Sequence, residues 1–228
     1  MLTLRAQCEE QMDDPDLPPA VYDRVLRDLG RVNSVTLARP PTLRFLGRLP
    51  RQTAPLRILD VGFGDGDMLR SIARWAKRRG IAVALTGIDL NARSVAAAHA
   101  RTPEALGIRY LAGDYADLAG QGWDVVLSSL VAHHMTHAQL IAFLTFMDQE
   151  AERGWFINDL HRHGVAWLGY PVLARLAGWH RIVREDGRLS IARSYRPAEW
   201  PPILAEAGIA DARVFRAFPF RLCVAKIR

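Results

Sequence analysis

Apolar residues fall into two kinds of run along this chain, short continuous ones and longer ones spaced three and four apart. The continuous kind covers residues 58–61 (ILDV), 81–90 (IAVALTGIDL), 108–114 (IRYLAGD), 125–127 (VVL) and 154–160 (GWFINDL). Runs of this length bounded by Gly, Asp or Ser read as buried strands. Helical spacing marks residues 20–33, where Val21, Val25, Leu26, Leu29 and Val32 share one side, and residues 68–78, with Met68, Leu69, Ile72, Ala73 and Trp75 or Ala76. Residues 137–151 follow the same spacing through Leu140, Ile141, Phe143, Leu144 and Met147, and another helix starts at Arg196 and runs to Ala207. Strands alternating with helices predict an α/β domain. Pro18 and Pro19 suit the first turn of the first helix, whereas Pro40 and Pro41 are expected to break the segment after it. Two last strands, residues 212–218 and 220–227, form a hairpin around Pro219.

Chemistry enters where the first strand ends. Asp60 is followed by glycines at alternating positions, Gly62, Gly64 and Gly66, so the backbone there turns sharply and admits a ligand closely. The second strand ends in Asp89, a carboxylate at the tip of a βαβ unit, placed to accept hydrogen bonds from a ribose diol. The dehydrogenase pattern fits poorly, since Asp67 stands three residues after Gly64. Asp60, Asp65 and Asp67 also oppose the phosphates of a dinucleotide, whereas a cofactor with a cationic amino group suits them.

Asp60, Gly62, Gly64, Gly66 and Asp89 together resemble the D-x-G-x-G-x-G motif and ribose-binding acid of class I S-adenosylmethionine-dependent methyltransferases. The resemblance covers residues 55–160 by motif and 198–228 by pattern. It implies a Rossmann-like, seven-stranded, mostly parallel sheet with an antiparallel last strand, a helical N-terminal extension over residues 1–50 and a helical insertion at 161–197. Residues 51–228 then form the cofactor-binding domain, and S-adenosyl-L-methionine is the implied cofactor. The implied contacts are Asp60, Gly62, Phe63, Gly64, Gly66, Asp89, Leu90, Ser129 and Leu130. Asp114, with Tyr115 against the ring, takes the adenine role, or else caps a short helix. The N-terminal helix is either a lid over the cofactor or a passive cover of the sheet edge. The insertion, dense in Trp167, Tyr170 and Trp179, is a substrate lid or additional core.

Methyl transfer to oxygen requires alignment and a group that accepts a proton. Of seven histidines, His133 and His134 follow the fourth strand and His161 and His163 the fifth. His133 or His134 is the expected base or substrate-orienting group, with His161 next. Adjacent residues on one turn point differently, so only one of the pair is expected to face the substrate. Asp159 steadies that imidazole, contacts the substrate, or caps the strand exit. No metal is expected: Asn158–Asp159 reverses the order found in metal-dependent catechol methyltransferases, Ser128 and Ser129 stand where a liganding carboxylate belongs, and the histidines lack carboxylate or cysteine support at zinc spacing.

Composition narrows the partners. The formal charge is +6, from 30 basic and 24 acidic residues, but the basic ones are scattered with no aromatic interleaving, so nucleic acid is not an expected substrate. No apolar run reaches a membrane span and no signal segment is visible, which predicts a cytoplasmic protein, with peripheral membrane contact left open. Two cysteines, Cys8 and Cys223, make no disulfide framework, and Cys223 reads as core. The L-x-x-H-H-M segment is similar to methyltransferases of bacterial quinone and polyketide biosynthesis, and no Asn/Asp-Pro-Pro-Tyr/Phe motif of base-amine enzymes is present. Expectation therefore settles on a small hydrophobic aromatic acceptor and O-methylation of a phenolic hydroxyl. C-methylation of the same ring, a non-catalytic cofactor-binding module and an NAD-dependent oxidoreductase are the alternatives.

Overall fold

In the computed structural model, which describes residues 2–50 and 52–228, the strand-like runs assemble into one seven-stranded sheet. Its strands are β1 (Leu56–Val61), β2 (Val83–Asp89), β3 (Arg109–Ala112), β4 (Trp123–Ser129), β5 (Ala151–Leu160), β6 (Arg213–Ala217) and β7 (Arg221–Ile227). The order is β3-β2-β1-β4-β5-β7-β6, and β7 alone runs against its neighbours. The strand order reverses beside β1 and β4. Ligands of open α/β sheets bind at such a point, outside the carboxyl ends of the strands.

Helices cover both faces. They are α1 (Pro19–Val35), α2 (Arg39–Leu46), α3 (Asp67–Arg79), α4 (Ala92–Arg101), α5 (His137–Glu150), α6 (Gly164–Leu176), α7 (Arg181–Arg193) and α8 (Trp200–Glu206). On one face α5 and α8 bury Phe143, Leu144, Met147, Trp200 and Ile203 against β4 and β5. On the other, α3 lays Leu69, Ile72 and Ala76 on β1, and Phe45 of α2 stacks on Phe156 at 4.9 Å. The side chains of β1 point alternately into these two clusters, as the two-residue period of a strand requires. Cys223 is fully buried in the second of them.

Pro40 and Pro41 do not break their segment; they open α2. A helix's first turn has amide hydrogens with no intrahelical partner, so proline loses nothing there. Ala151, expected to end a helix, instead starts β5, three residues before the strand expected at 154. The helix expected from Arg196 begins as a 3₁₀ turn, Pro197–Glu199, before α8.

Residues 161–197 form the helical hairpin α6–α7, which packs on α1 through a third cluster of Val25, Ala174, Trp179, Ile182 and Val183. Ahead of α1, the backbone amides of Gln11 and Met12 donate to the Asp186 carboxylate at 3.1 and 2.9 Å, and Arg193 donates to Cys8 O at 2.9 Å. The N-terminal strap and the α6–α7 hairpin thereby roof the carboxyl ends of β1, β4 and β5. On its outer side α6 leaves Leu168, Val172 and Leu176 exposed.

Candidate active site

A cavity of about 730 Å³ lies between this roof and the strand ends. Its volume falls within the range of small-molecule and cofactor sites. One end is the turn from β1 into α3. At Gly66, with φ +77°, a Cβ would stand 2.3 Å from the Tyr110 hydroxyl, so the helix start fits against β3 only without a side chain. Gly64 differs: φ is +56°, yet a Cβ would meet nothing within 4 Å, because it would point into open space at the cavity wall. Gly62 packs its bare Cα against Val131.

Asp60 is fully buried at this end, and its Oδ1 has no hydrogen-bond partner. Burial, then the charges of Asp89 and Asp67, push its carboxyl up to about 8. The oxygens of Asp89 accept from the backbone amides of Gly64 and Asn91, each at 2.9 Å, which aims the carboxylate across the turn; burial raises its pKa too. Asp65 and Asp67 are less free than their sequence suggests, since Arg70 pairs with the first at 3.1 Å and Arg39 with the second at 2.7 Å. That leaves Asp60 and Asp89 as the acids open to a ligand.

Other residues read as cofactor contacts are placed unevenly. Phe63, tilted on Tyr110 at 4.8 Å, lines the cavity from the core side. Leu90 is 80% exposed at the rim. Tyr115 reaches the wall with its ring edge-on to Phe143 at 4.9 Å. Asp114 does not line the cavity; exposed, it accepts from the Ala116 amide at 2.9 Å and so caps the following 3₁₀ turn. Ser129 presents a buried Oγ without a partner, and Leu130 holds φ +63°, a strained value for a side chain other than glycine.

The opposite end is polar, with histidines set among carboxylates. A 3₁₀ turn after β4, Ala132–His134, carries the histidine pair. His133 Nδ1 lies 2.7 Å from Asp159 Oδ1, and its backbone amide donates to Asp159 Oδ2 at 2.9 Å. Across the ring, Nε2 stands 3.6 Å from Glu10 Oε1. His134 repeats the arrangement, with Nδ1 3.1 Å from Asp13 and Nε2 3.8 Å from Glu10 Oε2. Burial disfavours charge on His133, but the Asp159 carboxylate and the contact with Glu10 overcome it and push the imidazole up to about 9. Glu10 is held in turn by the Ser190 hydroxyl at 2.7 Å. Arg193 donates to the carbonyls of His133 and His134, and Arg5 to that of His133, which fixes the turn.

Both histidines of the pair face the cavity, contrary to the expectation that only one does. Glu10 comes between their Nε2 atoms from the N-terminal strap and draws both rings to one side. His161, also buried on the cavity wall, behaves oppositely to His133: burial, then the neighbouring His163 and several arginines, lower its pKa, so it is neutral at pH 7. His163 instead stacks on Phe220 at 5.1 Å and caps α6 by accepting from the Val165 amide. Two cavity residues had no signal of their own in the sequence. Glu10 lies in a run of surface-like acids, and Arg221 looks like any strand arginine. Arg221 is in fact buried, with Nη1 unpartnered, and burial lowers its pKa to about 10.

Residues 58–149 match the family described as Methyltransferase domain. Among solved structures, the chain is similar to the plantazolicin methyltransferase BpumL in complex with SAH (TM-score 0.66, 17% identity, 94% of this chain and 91% of that one). It is similar also to magnesium protoporphyrin IX methyltransferase (ChlM) of Synechocystis PCC 6803 with bound SAH (TM-score 0.55, 18% identity, 96% and 91%). A third is the CMeT domain of the citrinin polyketide synthase, of which the chain spans 48% (TM-score 0.56, 15% identity, 80% of this chain). No curated protein matches the sequence. Residues 58–149 thus resemble a methyltransferase domain, and the fold around them is the one these methyltransferase structures share. S-adenosylmethionine is the cofactor of class I methyltransferases, and the glycine-turn end of the cavity suits it: an unpartnered buried carboxylate at Asp60, an unpartnered hydroxyl at Ser129 and open space beside Gly64. No helix among the described residues is long and apolar enough to cross a membrane.

Proposed function

We propose that this protein methylates an oxygen of a small hydrophobic aromatic acceptor, of phenol or quinone-precursor type. The observation that carries this reading is that one cavity joins the glycine turn to histidines, with apolar side chains of α1 and α6, among them Leu26, Leu29, Ala166 and Leu173, forming the wall between them. S-adenosylmethionine, when bound, supplies the electrophilic methyl group.

Asp89 receives the ribose hydroxyls, and Asp60 receives the cationic amino group, whose charge restores the carboxylate that burial disfavours. Gly62, Gly64 and Gly66 give the backbone its close approach; Phe63, Leu90, Tyr115, Ser129 and Leu130 complete that wall, and Asp114 stands at its edge. Toward the acceptor, His161 is the residue that takes the proton, because a base must be neutral before it accepts one. His133, oriented by Asp159, and His134 anchor the acceptor oxygen with Glu10. Tyr170 and Leu173 of the α6–α7 hairpin, read here as the acceptor lid, exclude water over an apolar ring, and α1 with the N-terminal strap closes the other side. Arg221 meets an anionic substituent of the acceptor, a role that gives its unpartnered Nη1 a partner. Neither a nucleic acid nor a membrane-spanning anchor is needed.

The test is turnover with a panel of phenols, read by product mass and by S-adenosylhomocysteine release. Oxygen-methylated product with phenols and none with adenine or cytosine nucleosides supports the reading. Carbon-methylated product from the same panel overturns the regiochemistry, and tight cofactor binding with no release for any acceptor overturns the enzyme assignment.

A further inference from the structure

Glu10, His133 and His134 present three ligand atoms that lie within 4.8 Å of one another. They come from two segments more than 120 residues apart, the N-terminal strap and the turn after β4. The Nε2 atoms stand 3.6 and 3.8 Å from the two oxygens of one carboxylate. Those separations exceed a charge-assisted hydrogen bond of about 2.8 Å. They approach the roughly 3.3 Å between two donors that share a tetrahedral ion at bonds near 2 Å.

Each ring is also aimed. Asp159 engages Nδ1 of His133 at 2.7 Å, and Asp13 engages Nδ1 of His134 at 3.1 Å. A carboxylate at Nδ1 orients each ring with its Nε2 toward Glu10, where an ion can take the place of a proton. Glu10 and His133 are buried, so the Glu10 carboxylate needs a positive partner between the rings, either a proton or a cation. Carboxylates behind both histidines are the outer support that metal-binding imidazoles ordinarily have.

We propose that Glu10, His133 and His134 bind a first-row divalent transition ion, Zn²⁺ or a close substitute, with a coordination position open to the cavity for the acceptor oxygen. Two imidazoles and one carboxylate suit such an ion better than Mg²⁺ or Ca²⁺, which prefer all-oxygen sets. The carboxylate that the strand ends lack is delivered here by the strap. The binding claim stands on geometry alone; the claim about the acceptor oxygen rests on the function proposed above.

The experiment is a titration of chelator-stripped, full-length protein, without cofactor or acceptor, using Zn²⁺ by calorimetry and Co²⁺ by visible absorption. One ion per chain is expected, with Co²⁺ bands of a nitrogen–oxygen site. Glu10→Gln and His134→Ala should each weaken binding about tenfold or more, and Asp13→Asn, which leaves all three ligands in place, by about tenfold. His137→Ala, at an exposed histidine paired with Glu206, should leave the isotherm unchanged. Absence of a stoichiometric ion, or an unchanged isotherm for Asp13→Asn together with Glu10→Gln, overturns the site and leaves an imidazole–carboxylate network. Should Glu10→Gln not fold, Asp13→Asn and His134→Ala decide alone. Methyl transfer is then measured on stripped and reloaded enzyme: loss and recovery support the acceptor-oxygen role, and full activity without the ion overturns that role while the isotherm stands. An enzyme inactive on every phenol in both states refutes the function, and the isotherm still decides the site.

Discussion

The two ends of the cavity are built in opposite ways. The acids and glycines of the glycine-turn end come from one stretch of sequence, residues 58–90, in which a strand, a turn, a helix and a second strand bring Asp60, Gly64 and Asp89 together, with Tyr115, Ser129 and Leu130 added from later turns. The histidine end draws on four separate segments: Glu10 and Asp13, His133 and His134, Asp159 and His161, and Ser190 with Arg193. Local construction makes the first end a transferable module, while the second is specified only when the whole chain has folded. Cofactor binding should therefore survive damage to the acceptor end, and the reverse should not hold for turnover.

The sharpest way to break that comparison is His161→Gln. If the histidine end handles the proton, turnover falls about 100-fold or more, with the calorimetric affinity for S-adenosylhomocysteine unchanged. Because the pKa of His161 is lowered, the midpoint of the rise of kcat/KM with pH should lie below the ordinary histidine value of about 6.5; a limb centred above pH 7 would move the role to another group. Next in size, Asp89→Ala should weaken S-adenosylmethionine binding by about 10- to 100-fold through two lost charge-assisted hydrogen bonds. Unchanged affinity in calorimetry would remove Asp89 from the cofactor site.

Asp60 gives a smaller effect of clear sign. Its folded pKa of about 8 lies above the unfolded carboxyl value near 4, so the folded state holds the extra proton and stability falls as pH rises from about 4 to 8. Asp60→Asn should raise the Tm of the cofactor-free protein at pH 8.5 by several degrees, have little effect at pH 4, and weaken cofactor binding. A Tm gain equal at both pH values would contradict the buried-carboxyl account. Smallest is Gly187→Ala. A Cβ there would stand 2.3 Å from the Tyr170 ring, so the ring shifts and the KM for the acceptor changes by a few-fold, while cofactor affinity holds. Differential scanning calorimetry should show a cost of about 1–3 kcal/mol.

This division also decides what a reader of the sequence is able to see. Asp60, the three glycines and Asp89 announce themselves because strand, turn and helix signals lie within a few residues of each other, and strand order follows once that unit is placed. His133 and Asp159 were legible as chemistry at strand ends, although their 2.7 Å contact was only one of several readings. Glu10 was not legible, since nothing in QCEEQMDD distinguishes an acid that ends 5% exposed from its solvated neighbours. Arg221 was hidden for the same reason, and Asp114 took its position from a local turn rather than from the cavity. Long-range burial, not residue type, separates these cases.

One helix holds the histidine end together. On a single side of α7, Asp186 grips the strap at Gln11 and Met12, Ser190 grips Glu10, and Arg193 grips the carbonyls of both histidines. Any swing of α7 therefore pulls on the strap and on the histidine turn together, while Asp159 in β5 holds His133 to the sheet, like a keystone drawn from an arch. Opening on that side would part those contacts at every cycle, whereas the rim at exposed Leu90 carries none of them.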